Sequence, residues 1–291
     1  MGSGSWDRDT FISYTTSTKL GATFDARGGM VTTMSNQDMF KARHLDEALN
    51  PKGVCRECRD SEEHPNTIPV ILALDVTGSM GEAAVEVAKK LNVIMTDLYD
   101  RIKDVEFMIM GIGDFYCDTY PLQVSQFESD IRIAEQLDKI YFEFGGGGNY
   151  FESYTAAWYF GSRHCALDCW DRGKKGIIIT MGDERINPYI PKDGVYASIH
   201  SVIGDTVQDD IDTKTLYEET LEKFDIYHLN VVHGGRDWDQ QNVIKSWTEV
   251  LGDNFREVNL DNIAKEIVNI IMDSVNGNST DITENSSGIS W

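Results

Sequence analysis

The chain has 291 residues, 41% of them hydrophobic and 10% aromatic, enough apolar material to bury a core without disulfide staples. Its 48 acidic and 26 basic side chains give a formal charge of −22, which repels nucleic-acid backbones and anionic membrane surfaces and argues against both as partners. No stretch approaches the roughly 18 consecutive apolar residues of a membrane span, so a soluble chain is expected, with much of the charge serving solubility.

The opening Met1-Gly2-Ser3-Gly4-Ser5-Trp6 lacks the basic segment and apolar run of a secretory signal, and Trp6 stands where a myristoylation pattern wants Ser or Thr. Five cysteines, an odd number, point to a reducing interior, and the expected location is cytoplasmic. Residues 1–67 are polar and turn-rich, and read as an irregular N-terminal extension. Its scattered Trp6, Phe11, Tyr14, Phe24, Met30 and Phe40 predict an arm packed on the main domain. Within it, Cys55-Arg56-Glu57-Cys58 has the spacing of half a zinc site. His164, Cys165 and Cys169 do not supply the other half at the customary spacing, so zinc through Cys55 and Cys58 is not expected.

At Pro69 the pattern changes. Val70-Ile71-Leu72-Ala73-Leu74 is a continuous apolar run ending in Asp75, as in a parallel strand covered on both faces. Ser79 is placed to cap a following helix, in which Ala83, Val87, Leu91, Ile94 and Leu98 recur near the helical period. A strand is expected over 105–110, a shorter edge strand over 120–127 and a helix over 131–140. After the glycine run 145–148 come a helix over 152–160 and a buried strand over 177–181. Strands over 226–232 and 255–258 are each followed by a helix, near 242–251 and 263–275. Residues 276–291 read as a flexible polar tail. The alternation predicts an α/β fold: a doubly wound, mainly parallel, Rossmann-like sheet of about six strands with helices on both faces.

Open parallel sheets bind ligands beyond the carboxyl ends of their strands. Asp75 ends one buried strand and Asp183 follows another, while Thr77 and Ser79 lie in the loop between Asp75 and its helix. Two hydroxyls and two carboxylates make an incomplete oxygen shell for Mg²⁺ (or Mn²⁺ or Ca²⁺), leaving a position for a carboxylate from another molecule.

Asp75-Val76-Thr77-Gly78-Ser79 resembles the Asp-x-Ser/Thr-x-Ser signature of the von Willebrand factor A (vWA) family, and Asp183 in Met181-Gly182-Asp183-Glu184 resembles its third conserved element. The resemblance covers residues 68–275 and implies a metal-ion-dependent adhesion site (MIDAS) after the first strand. The family's second loop normally supplies a Thr; here Asn149 is the nearest positional match, with Glu152 as the alternative oxygen donor and Thr155 set too far into the helix. Asp114, in Gly111-Ile112-Gly113-Asp114-Phe115, resembles an acidic turn of intracellular bacterial and phage relatives and is expected at the edge of the site. Such relatives work beside AAA+ ATPases or in multi-protein assemblies, so the resemblance implies a non-enzymatic module whose partner offers an Asp or Glu. Two other readings stand beside it: a metal-dependent hydrolase or phosphotransfer enzyme, and a structural assembly subunit joined through the terminal segments. Taken singly, Asp75, Ser79 and Asp183 could be no more than helix-capping and turn residues.

Overall fold

The computed structural model describes residues 4–143, 150–194, 196–232 and 237–284. Its central sheet contains β1 (Ile68–Asp75), β2 (Val105–Ile112), β3 (Leu122–Val124), β4 (Gly176–Gly182), β5 (Phe224–Val231) and β6 (Phe255–Val258). The strands are ordered β6-β5-β4-β1-β2-β3, and every neighbouring pair is parallel except β2 with β3. From β1 the chain first builds outward through β2 and β3, then crosses back to β4 and continues to β6. The crevice between β1 and β4 is therefore the point where strand order reverses, the usual ligand position of such sheets.

β1 is central, and from Pro69 to Asp75 it is buried without interruption, which is why it reads as an unbroken apolar run. Its side chains alternate between two cores. Val70, Leu72 and Leu74 pack with α2 (Gly81–Tyr99), α3 (Arg132–Leu137) and α7 (Ile263–Glu284). Ile71 and Ala73 pack on the other face with α4 (Thr155–Arg163), α5 (Thr213–Leu221) and α6 (Asp237–Leu251). The second core holds the largest fully buried side chains, Trp158 and Trp247.

The N-terminal arm departs from the expected irregular chain. Arg8–Thr18 forms helix α1, capped by Asp7, whose carboxylate accepts from the Thr10 N–H at 2.7 Å. Only Phe11 and Thr15 are buried along it, too few positions for a period to appear in the sequence. Trp6 donates its indole N–H to Asn92 on α2 at 3.0 Å, and Lys19 donates to Asp138 beside α3 at 2.6 Å. Arg56–Cys58 adds a short parallel pairing with Cys165–Leu167.

Several boundaries also differ. The edge strand of 120–127 shrinks to Leu122–Val124, with one further bridge between Phe107 and Glu128, and the helix of 131–140 shrinks to Arg132–Leu137. α6 starts at Asp237 rather than near 242. α7 continues to Glu284, so the first nine residues of the expected tail are helical; residues 285–291 lie outside the described residues. No described helix is long and apolar enough to cross a membrane.

Candidate metal centre

Strand register sets Asp75, Asp114 and Asp183 at adjacent strand ends. Asp75 lies opposite Ile112 on β2, and Leu74 lies opposite Met181 on β4. Asp114 and Asp183 thus leave the ends of the two strands that flank Asp75. Asp75 is fully buried, Thr77 is 6% exposed and Asp183 8% exposed, so the three sit within the crevice rather than on its lip.

One Asp75 oxygen, Oδ1, accepts from the Thr77 N–H at 2.9 Å and from the Thr77 hydroxyl at 2.7 Å. Asp75 therefore shapes the turn that follows it and does not cap the helix. Ser79 falls in the single 3₁₀ turn Gly78–Met80, and the residue at the N-cap of α2 is Met80, which corrects the expectation of a Ser79 cap.

The other Asp75 oxygen, Oδ2, accepts from the Tyr154 hydroxyl at 2.9 Å, a contact the sequence did not suggest. Tyr154 reaches it by lying over Gly182, where any Cβ would overlap the hydroxyl. Glycine here answers a packing demand. The Tyr154 ring is held by His228 and Trp247, each 5.2 Å away between centroids, and these two stack on each other at 3.5 Å.

The second loop is only partly described. Asn149 and the glycine run 145–148 lie outside the described residues. Glu152 is not in a helix as expected but in the two-residue strand Phe151–Glu152, parallel to Arg185–Ile186, and α4 begins three residues later. Thr155, expected deep in that helix, is its first residue, and its hydroxyl accepts from the Asn187 side chain. Between them Ser153 donates to Asp114 at 3.2 Å and accepts from the Phe115 N–H at 3.1 Å. Asp118, which sequence reasoning passed over, is buried and accepts from the Asp114 N–H at 2.7 Å.

The electrostatics are one-sided. Burial, followed by the proximity of Asp183, raises the Asp75 carboxyl to about 7. Burial, then Asp75, Asp118, Asp114 and Glu184, pushes Glu152 well above the usual carboxylate range. Burial, with Glu143 and Asp114 adding to it, raises Asp118 to about 6. Among the described residues, the largest influences on these three carboxyls include no Lys, Arg or His. Arg185, close by in sequence, is committed to an ion pair with Asp239.

A cation suits this donor set. Glu152 Oε2 is buried and has no hydrogen-bond partner among the described residues. Thr77 donates its one hydroxyl proton to Asp75 and so keeps lone pairs for another contact. Among the described residues no group of three or more His, Cys, Asp and Glu side chains is arranged to hold a metal ion by itself. An ion here would depend on hydroxyl and water oxygens beside the carboxylates, which is the habit of Mg²⁺. Of the cysteines considered for zinc, Cys55 is exposed just before the Arg56–Cys58 segment and Cys58 is buried at its end.

The sequence matches no protein-family model, and no curated protein matches it. Solved structures do resemble it. The pilus adhesin SpaC from Lactobacillus rhamnosus GG, in its open conformation, superposes with a TM-score of 0.50 at 13% identity, covering 78% of this chain and 31% of SpaC. The vWF domain of the type V pili tip protein Mfa5 from Porphyromonas gingivalis gives a TM-score of 0.44 at 11% identity, covering 73% of this chain and 96% of that domain. This chain spans about a third of the length of SpaC, and at such identity the likeness to SpaC speaks to the fold alone, a mixed α/β domain with a mainly parallel sheet.

Proposed function

We propose that this chain is a non-enzymatic interaction module of the vWA type, which holds a divalent cation in the crevice between β1 and β4 and binds a partner's carboxylate through it. The observation that carries this reading is the meeting of Asp75, Asp114 and Asp183 at adjacent strand ends, in a buried crevice where the acids raise one another's carboxyls. Bound Mg²⁺ would supply an electropositive centre with a coordination position for an outside oxygen. Asp75 and Asp183 provide the charge that holds it, and Thr77 provides a hydroxyl oxygen already oriented by Asp75. Ser79 enters from the sequence motif. Glu152, with its unpartnered oxygen, takes the role left open in the second loop, and Asp114 stands behind it through Ser153. Tyr154 fixes the second Asp75 oxygen, so the carboxylate is oriented before any ion arrives.

The likeness to a pilus adhesin is in keeping with a binding role. An AAA+ ATPase or another assembly component as partner is part of the same proposal and follows from the family resemblance. Electron paramagnetic resonance with Mn²⁺ tests the site: the wild type should take up Mn²⁺ in competition with Mg²⁺, and both Asp75→Ala and Asp183→Ala should lose that uptake. Equal Mn²⁺ uptake by Asp75→Ala would overturn the proposal.

A further inference from the structure

The loops around the crevice carry exposed aromatic rings. Tyr116, two residues beyond Asp114, donates its N–H to the Asp114 carboxylate at 3.1 Å and is 39% exposed. Its hydroxyl meets that of Tyr189 at 2.6 Å, with the rings edge-to-face at 6.4 Å, so each ring fixes the other. Tyr150, two residues before Glu152, is 52% exposed and carries the Arg185 guanidinium over its face at 5.4 Å. Arg185 is in turn anchored by Asp239. Rigid, half-exposed tyrosines provide large amphipathic contact area at small entropic cost, and they are enriched where binding energy concentrates.

Charge restricts what these rings can meet. The formal charge of −22, with buried acids beneath the rim, repels an acidic protein over the Debye length and attracts a basic one. A carboxylate can reach the centre only where it stands alone, since its acidic neighbours would face Glu184, Asp118 and Glu143. The notion of an acidic partner therefore narrows to a single acid on a basic background.

We propose that the site's partner is a basic protein segment offering one isolated Asp or Glu to the centre and laying its flanking side chains on Tyr116, Tyr189 and Tyr150. This rests on the metal-bridged reading above. The probe is a random peptide library displayed on phage, selected on the full chain in Mg²⁺ and eluted with chelator, with Asp75→Ala as the counter-selection bait. The expected peptides carry one Asp or Glu among Lys, Arg and apolar residues, and bind more weakly as ionic strength rises. Tyr116→Ala and Tyr150→Ala should each weaken them by roughly tenfold or more, with Tyr116→Phe losing less, while Mg²⁺ affinity measured by calorimetry stays at the wild-type value. Peptides with runs of acidic residues, equal binding to the tyrosine variants, or no enrichment over the counter-selection bait on a chain that binds Mg²⁺ would each overturn the inference. A wild type that binds no Mg²⁺ sinks the metal reading itself, so the two failures are told apart by calorimetry.

Discussion

At the amino-terminal end of β2, Glu106 and Glu128 are buried at 1% and 5% exposure; at the carboxyl ends of β1, β2 and β4, Asp75, Asp114, Asp118 and Asp183 are buried to a similar degree. Burial raises carboxyls in both places. An unpartnered oxygen also occurs in both, on Glu106 and on Glu152. What separates them is the counter-charge. His64 works against the rise in Glu106, and Arg132 approaches Glu128 at 3.0 Å as an ion pair, though without hydrogen-bond alignment. At the other end, among the described residues, the main groups that oppose the rise in Asp75 are the neutral donors Thr77 and Tyr154. Buried acid alone is thus a poor mark of a site; buried acid opposed mainly by neutral donors is a better one.

The largest way to break this contrast is Gly182→Ala. The new Cβ displaces Tyr154 from Asp75, and overpacking in this dense core should cost roughly 2–3 kcal/mol, read by urea unfolding, together with weaker Mg²⁺ binding. Next is removal of the ion. If it binds the folded state alone, chelation from a hundredfold excess over Kd should lower stability by about 2.7 kcal/mol, seen as a fall of several degrees in Tm that Mg²⁺ reverses. At the compensated end, Arg132→Met leaves Glu128 buried beside no guanidinium. Because Arg132 is one-third exposed, solvent softens the loss, and about 1–2 kcal/mol is expected with Mg²⁺ binding untouched.

The smallest effect is on pH dependence. Asp75 at about 7 and Asp118 at about 6 both lie above their ordinary value of 3.8. In that interval the folded chain binds more protons than the unfolded chain, so stability falls as pH rises through the folded values. Chelated protein should therefore melt at a lower temperature near pH 8 than near pH 5, and Mg²⁺ should narrow the gap. Asp75→Asn should flatten it; an unchanged slope in that variant would assign the pH dependence elsewhere. The carboxyls held low by partners, Asp60, Asp168 and Asp205, titrate below this window and do not contribute to it.

The central strands were legible because covered strands must be apolar throughout, and Asp75 and Asp183 stood out as charges at the ends of such runs. Helix α1 was not legible, since a Ser- and Thr-rich surface helix held by a cap and two buried residues leaves no period. Glu152 was misplaced because an acidic residue before an aromatic-rich segment reads like a helix start, whereas its backbone pairs with Arg185–Ile186. Tyr154 escaped notice because its role depends on an absent side chain at Gly182, far away in sequence. Long-range geometry of that kind has no local signature.

Isothermal titration calorimetry with Mg²⁺ tests the contrast most directly, comparing the wild type with Asp75→Asn at the carboxyl ends of the strands and Glu106→Gln at the amino-terminal end of β2. The expected result is a binding isotherm for the wild type, the same isotherm for Glu106→Gln, and affinity weakened by roughly a hundredfold for Asp75→Asn, equivalent to about 2.8 kcal/mol. An Asp75→Asn isotherm that matches the wild type would contradict the account.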